Sequence, residues 1–141
     1  MACPFFIPAD PWNESDDPWP GPRRVPLGEP YRGGCSRTPL PIDPRDQAGV
    51  CNFGYARGRC SHFPPSESTP DAIRFSISGS DSLGHIDLIW ITEIEHAPAA
   101  FGLTRWVDGS FEPDVPAAYR ILARAFLESY LKGKCPQGIT P

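Results

Sequence analysis

The sequence predicts an α+β fold, in which a small antiparallel sheet of about three strands is covered by a C-terminal helix. Residues 73–77 alternate apolar and polar side chains, which is typical of a half-buried strand. Residues 86–94 carry apolar side chains on both faces, as a central strand does. Residues 114–132 repeat apolar residues at helical spacing. Since the connections between the strands are short and rich in turn residues, we expect an antiparallel meander.

The third strand is predicted over "AFGLTRWV", residues 100–107, and "DGS" closes it with a turn. The helix after it has a clear beginning and end. Asp114 is the expected N-cap, Pro116 suits the first turn, and Gly133 is the expected stop. Its predicted apolar stripe consists of Val115, Ala118, Tyr119, Leu122, Phe126 and Ser129. This helix is predicted to cover one face of the sheet.

The chain is predicted to form one domain over residues 1–141, with a long irregular arm (1–70) and an α+β scaffold (71–141). Fourteen of the 19 prolines lie in the arm, which disfavours helices and central strands there. The arm is also rich in aromatic residues, which favours an ordered segment packed on the scaffold over a flexible leader, although the second reading stays open. A short helix is expected at "IDPRDQAGVCN", capped by Asp43 and ending near Cys51.

Charge and composition exclude several classes of function. A net charge of −4 and a pI near 5.3 argue against a nucleic-acid-binding or anionic-membrane-binding surface. The first residues, "MACPFFIPAD", lack the basic and apolar regions of a signal peptide, and no apolar run is long enough to cross a membrane. We therefore expect a cytoplasmic protein, in which thiols are reduced and structural disulfides are rare.

The cysteines are the most informative feature of the sequence. Four of the five lie within the first 60 residues, in the arm that has little predicted secondary structure. Ordering such a segment costs backbone entropy, which small irregular segments usually offset with disulfides or a metal. In a reducing compartment, a metal is the first expectation.

The spacing of the cysteines favours an iron–sulfur cluster over zinc. Structural zinc sites usually contain ligand pairs two to four residues apart, and the arm has none. A [4Fe–4S] cluster takes four thiolates around a larger object, so it tolerates scattered ligands. We predict that Cys3, Cys35, Cys51 and Cys60 bind a [4Fe–4S] cluster, for electron transfer or redox sensing with a redox partner protein. The alternative is a structural zinc site or a metal-free protein-interaction module without enzymatic activity.

Other residues near these cysteines are auxiliary candidates. His62 and Cys135 are each a possible replacement ligand, and Arg57 and Arg59 could offset the negative charge of a cluster. Glycines in the arm would let the backbone approach the cluster, and aromatic rings would exclude water from it. These residues are Gly33, Gly34, Gly54 and Gly58, and Phe5, Phe6, Phe53, Tyr55 and Phe63. No familiar catalytic motif occurs, and a Cys60–His62 nucleophile lacks an orienting third group, so no enzymatic activity is assigned.

Overall fold

The computed structural model describes residues 1–12, 19, 25–64 and 69–134. Within these described residues, ten elements follow one another. They are β1 (Phe6–Pro11), β2 (Tyr31–Cys35), α1 (Pro44–Asp46), a π-helix (Gln47–Cys51), β3 (Ala72–Ser80), β4 (Ile86–Ile94), β5 (Ala97–Val107), β6 (Ser110–Glu112), a 3₁₀ turn (Ala117–Tyr119) and α2 (Arg120–Lys134). The predicted α+β class is confirmed.

The scaffold is an antiparallel meander of four strands in the order β3-β4-β5-β6. The prediction of about three strands missed β6, a three-residue strand that pairs back onto β5 after the turn at Asp108 and Gly109. The central position predicted for β4 is correct, since β4 pairs with β3 on one side and β5 on the other. Trp90 of β4 lies opposite Gly102 of β5, where the missing side chain leaves space for the indole ring.

Helix α2 covers one face of this sheet, as predicted. Phe126 of α2 packs on Phe75 with ring centroids 5.6 Å apart, and Tyr119 of the preceding 3₁₀ turn packs on Trp90 at 5.9 Å. The start of the helix differs from the prediction. Pro116 is the cap residue of the 3₁₀ turn that precedes α2, while the carboxylate of Asp114 pairs with Arg120 at 2.7 Å. The carboxylate of Asp114 thus binds the Arg120 side chain and does not serve as the predicted N-cap.

The arm contains more regular structure than the sequence predicts. Strands β1 and β2 form an antiparallel hairpin, and the short helix expected near residue 43 is present, with Asp43 accepting a hydrogen bond from the Arg45 amide at 2.8 Å. That helix continues as the π-helix that ends at Cys51. Arm and scaffold share one continuous buried core, in which Phe6 and Leu27 join Leu122. The described part of the arm is therefore packed on the scaffold.

Two buried polar side chains join the arm to its neighbours. The Tyr31 hydroxyl donates to the Ala125 carbonyl of α2 at 2.9 Å and lies 2.6 Å from Ser129 Oγ. Burial raises the pKa of Tyr31 to about 12, so this hydroxyl stays a donor. Asn52 is fully buried, and its amide bonds the backbone of Tyr31 and of Gln47. These contacts connect β2 to the π-helix and to α2.

In the described parts of the chain, neither α-helix combines the length and the apolar character needed to cross a membrane.

Candidate metal centre

The four cysteines singled out in the sequence line one cavity of about 170 Å³. Their positions in the chain are far apart, and the fold of the arm brings them together. Cys3 follows the buried N-terminal residues, Cys35 ends β2, Cys51 ends the π-helix, and Cys60 closes a turn. All four are free thiols. The fold thus places all four cysteines on the wall of one cavity.

Backbone hydrogen bonds fix the positions of Cys3 and Cys51. Ala2 exchanges two backbone hydrogen bonds with Ile73 of β3, at 2.8 and 2.9 Å, which makes the N-terminal residues an extra pairing partner at the sheet edge. The next amide, that of Cys3, donates to the Cys51 carbonyl at 3.1 Å. Gly54 has a φ of +81° and leaves no room for a side chain beside Ala2. The inner wall of the cavity is therefore tied directly to the scaffold.

Burial divides the cysteines into an inner and an outer pair. Cys3 and Cys51 are only 7% and 9% exposed, whereas Cys35 and Cys60 are partly exposed. Burial raises the pKa of the Cys3 thiol to about 11 and that of Cys51 to about 12, and the neighbouring thiols add to both shifts. At neutral pH these two thiols keep their protons unless a metal displaces them. Any metal binding here should therefore tighten as the pH rises.

Aromatic and aliphatic side chains make up much of the cavity wall. Phe5, Phe6 and Phe63 line it as predicted, and Phe5 packs edge-on against Phe63 with ring centroids 5.4 Å apart. The same expectation is wrong for two residues. Phe53 instead stacks on Trp19 in a separate small cluster, and Tyr55 stacks on His96. Three of the five predicted rings thus line the cavity that the four cysteines share.

The four glycines that were predicted to let the backbone approach the cluster lie elsewhere. None of the four lines the cavity. Gly33 lets β2 approach β1 closely, since a Cβ there would lie 2.0 Å from the Ile7 carbonyl oxygen. Gly58 has a φ of +80° in the turn that leads to Cys60. These glycines shape the segments that carry the cysteines, and they do not themselves face the cavity.

The two arginines near Cys60 hold its loop in place. Arg57 pairs with Asp71 at 2.8 Å, donates to the Pro64 and Thr69 carbonyls, and lies over the Phe63 ring. Arg59 donates to the Gly49 carbonyl at 3.2 Å. Their side chains have these partners within the protein, so their contribution to the site includes positioning the Cys60 loop as well as charge.

Several residues at the mouth of the cavity were not predicted to belong to the site. Arg37 lines it, and its backbone N–H donates to the Cys35 sulfur at 3.3 Å. Asp43 and Asp46 also line it, at the start of α1 and the residue before the π-helix. Only their proximity to Cys35 and Cys51 in the chain could have drawn attention to them. They give the mouth its charged side chains.

Of the two auxiliary ligand candidates, only His62 lies within the described residues. His62 lines the same cavity and is exposed at its mouth. Cys135 lies outside the described residues. Over the part of the chain that is described, no group of three or more His, Cys, Asp or Glu side chains is arranged as a ready metal-ion site.

The ion pair between Asp71 and Arg57 is expected to make a pH-dependent contribution to the stability of the fold. Burial raises the pKa of Asp71, but the Glu95 amide at 2.7 Å and the Arg57 guanidinium outweigh it, so the pKa of Asp71 lies below its usual value. The ionised form therefore stabilises the fold fully above the unfolded-state pKa of about 3.9, and this stabilisation is lost as the pH falls through the lower folded-state pKa. Asp71→Asn should cost about 1–3 kcal/mol at pH 7.

Urea unfolding of wild type and Asp71→Asn between pH 2 and pH 7 measures this effect. The difference in free energy of unfolding should be constant near neutrality and shrink below about pH 4. Asp108→Asn is the matched control, because Asp108 is exposed in the β5–β6 turn and should change stability little. A difference for Asp71→Asn that does not vary with pH would contradict the assignment of an ionised, paired carboxylate.

Comparison with known proteins returns no match to a family model, a curated protein or a solved structure.

Proposed function

We propose that this protein binds a [4Fe–4S] cluster through Cys3, Cys35, Cys51 and Cys60, and that it transfers electrons or senses redox state. The observation that carries the proposal is the convergence of these four cysteines on one cavity. Four scattered cysteines need not meet in a fold. The lining of one cavity by four cysteines together with Phe5 and Phe63 supports ligation of a cluster by four thiolates.

The volume of the cavity supports a polyatomic group. In a Cys₄ zinc site each sulfur lies about 2.3 Å from a single ion, which leaves no space between the ligands. Here the four cysteines are among the residues that line a cavity of about 170 Å³, several times the roughly 30 Å³ that one water molecule occupies in the liquid.

The surroundings of the sulfurs support redox chemistry. Hydrogen bonds to ligand sulfurs and the exclusion of solvent are two of the features that set the potential of a cluster. The Arg37 amide supplies one such hydrogen bond to Cys35, and the packed Phe5 and Phe63 rings exclude water from part of the wall. When bound, the cluster would accept and donate single electrons. The chain itself would supply ligands, hydrogen bonds and a partly dry wall.

Anaerobic purification and reconstitution with ferrous iron and sulfide test the proposal. We expect about four iron and four sulfide ions per chain, with broad visible absorbance that bleaches on adding dithionite. Cys51→Ser should lose this cofactor, whereas Cys135→Ser should keep it, because Cys135 is not one of the four proposed ligands. A colourless protein without iron would refute the proposal, and one zinc ion per chain would replace it with a structural zinc site.

A further inference from the structure

We propose that two copies of this chain pair through the free edge of β5 and form a symmetric dimer with one continuous sheet. On one side, β5 pairs with β4 from Ala97 to Trp106. On the other side, within the described residues, β6 pairs only with residues 105–107. The backbone of residues 97–104 therefore has no strand partner on that side in the described parts of the chain. This inference does not depend on the proposed cluster.

The free edge of β5 lacks the charged residues that usually prevent a strand from pairing with another chain. Residues 97–104 read "APAAFGLT". Pro98 and a bulge at Ala99 interrupt only the first residues of this edge. The remaining segment, residues 100–104, is an uncharged part of the strand with one open side.

The side chains beside this edge are apolar and exposed. Phe101 is 73% exposed and Leu103 is 64% exposed. They lie opposite Ile91 and Ile89 of β4, which are partly exposed. Exposed apolar surface of this kind is typical of a protein–protein interaction site. A strand added at the edge would satisfy backbone groups and cover part of this apolar surface.

A second copy of β5 fits this edge because the free segment is symmetric about Gly102. The bulge at Ala99 limits the segment at one end, and the pairing of β6 with Arg105 limits it at the other. In an antiparallel pair centred on Gly102, Phe101 of each copy lies directly opposite Leu103 of the other copy. Since the paired segment is uncharged, it favours neither an acidic nor a basic partner strand. The two-fold pairing uses the free β5 edges of both copies, so assembly stops at a dimer.

The opposite edge of the sheet, along β3, is protected against such pairing. Ala2 pairs with Ile73 at that edge, and Arg74 places an exposed charge on the strand. A register shift also interrupts β3 between Ile77 and Gly79. Bulges and charged side chains are features by which natural sheets block edge-to-edge association. The β5 edge is therefore the one that pairs.

Sedimentation velocity of the purified full chain tests the dimer. It is measured at about 5 to 500 µM in a reducing buffer, so that the free cysteines form no intermolecular disulfides. Because the pairing of residues 100–104 is short, the interface is small, and we expect a dissociation constant of about 10–100 µM. The formal net charge of −4 on each copy opposes association, so added salt should strengthen the dimer.

Single substitutions then locate the interface. Leu103→Lys should weaken the dimer by about tenfold or more, because each copy loses an apolar contact and gains a charge at the edge. Leu83→Lys is the matched control, since Leu83 is 78% exposed in the β3–β4 turn and the substitution adds the same charge away from β5. It should leave the dissociation constant within about twofold of wild type. Both side chains are mostly exposed, so the circular dichroism of both variants should match wild type.

Oppositely charged double variants distinguish edge pairing from other modes of association. The variant Phe101→Lys with Leu103→Lys and the variant Phe101→Glu with Leu103→Glu should each be monomeric, because like charges face each other across the pair. A one-to-one mixture should form a heterodimer, because the facing charges are then opposite. In wild type, the outward-facing amides of residues 100–104 should gain protection from hydrogen exchange as the protein concentration rises.

Three results would each overturn the proposal. A wild type that is monomeric over the whole concentration range would leave the edge to a strand of a different protein. A wild-type dimer that Leu103→Lys and Leu83→Lys weaken equally would not be held by β5. Double variants that form no heterodimer would show that the two edges do not face each other. None of these results bears on the proposed cluster, which is tested by iron and sulfide content.

Discussion

Replacing Cys51 with alanine is expected to abolish cluster binding and to loosen the arm selectively. The four proposed ligands come from four separate segments of the chain, so a cluster would cross-link all of them. Ordering each residue of the arm costs about 1–2 kcal/mol of backbone entropy, while metal binding can contribute about 10 kcal/mol or more to folding. Amides near Cys3 and in residues 50–63 should therefore lose protection from hydrogen exchange.

The scaffold should keep its protection in the same variant. The buried side of α2, with Leu122 and Leu127, shares its core with Phe75 and Leu88 of the sheet, and none of these side chains is a proposed ligand. Wild type stripped of its cluster by an anaerobic chelator should show the same loosening as Cys51→Ala, which distinguishes cluster loss from the loss of one buried side chain. Cys135→Ala serves as the control and should resemble wild type. Uniform loss of protection would show instead that arm and scaffold unfold as one unit.

Replacing Asn52 with alanine is expected to destabilise the protein by about 3–5 kcal/mol. The Asn52 side chain accepts from the Tyr31 amide at 3.0 Å and donates to the Tyr31 and Gln47 carbonyls at 3.0 and 2.8 Å. The residue is 0% exposed, so water cannot replace these bonds without opening the structure. Each buried group left without a partner costs about 1–3 kcal/mol.

Chemical denaturation of the apoprotein measures this cost, and iron content after reconstitution measures its consequence. Asn52 lies next to Cys51, and Tyr31 begins the strand that ends at Cys35. Asn52→Ala should therefore also reduce cluster occupancy, although Asn52 is not a ligand. Ser36→Ala, at an exposed position next to Cys35, is the control and should change the unfolding free energy by less than about 0.5 kcal/mol. A similar small change for Asn52→Ala would show that the arm repacks around the lost amide.

The scaffold could be predicted from the sequence because the pattern of apolar residues within each short stretch indicates a strand or a helix. Alternation over residues 73–77, the doubly apolar run of β4 and the helical period of α2 each follow from which side chains can be buried. The missed strand β6 has only three residues, too few to show any period. Its existence depends on pairing with β5 after the turn at Asp108, where Asp108 and Gly109 both have positive φ.

The geometry of the candidate site, in contrast to the scaffold, could not be predicted from local sequence. The sequence by itself determined which side chains could bind a metal, since thiol chemistry and clustering in the arm are visible without a fold. Only the tertiary structure decided that Cys3, Cys35, Cys51 and Cys60 border one cavity, that two of them are buried, and that Asp43 and Asp46 lie at its mouth. The physical reason is that these positions depend on contacts between distant segments, such as Ala2 with Ile73 and Asn52 with Tyr31, which no short stretch of sequence encodes.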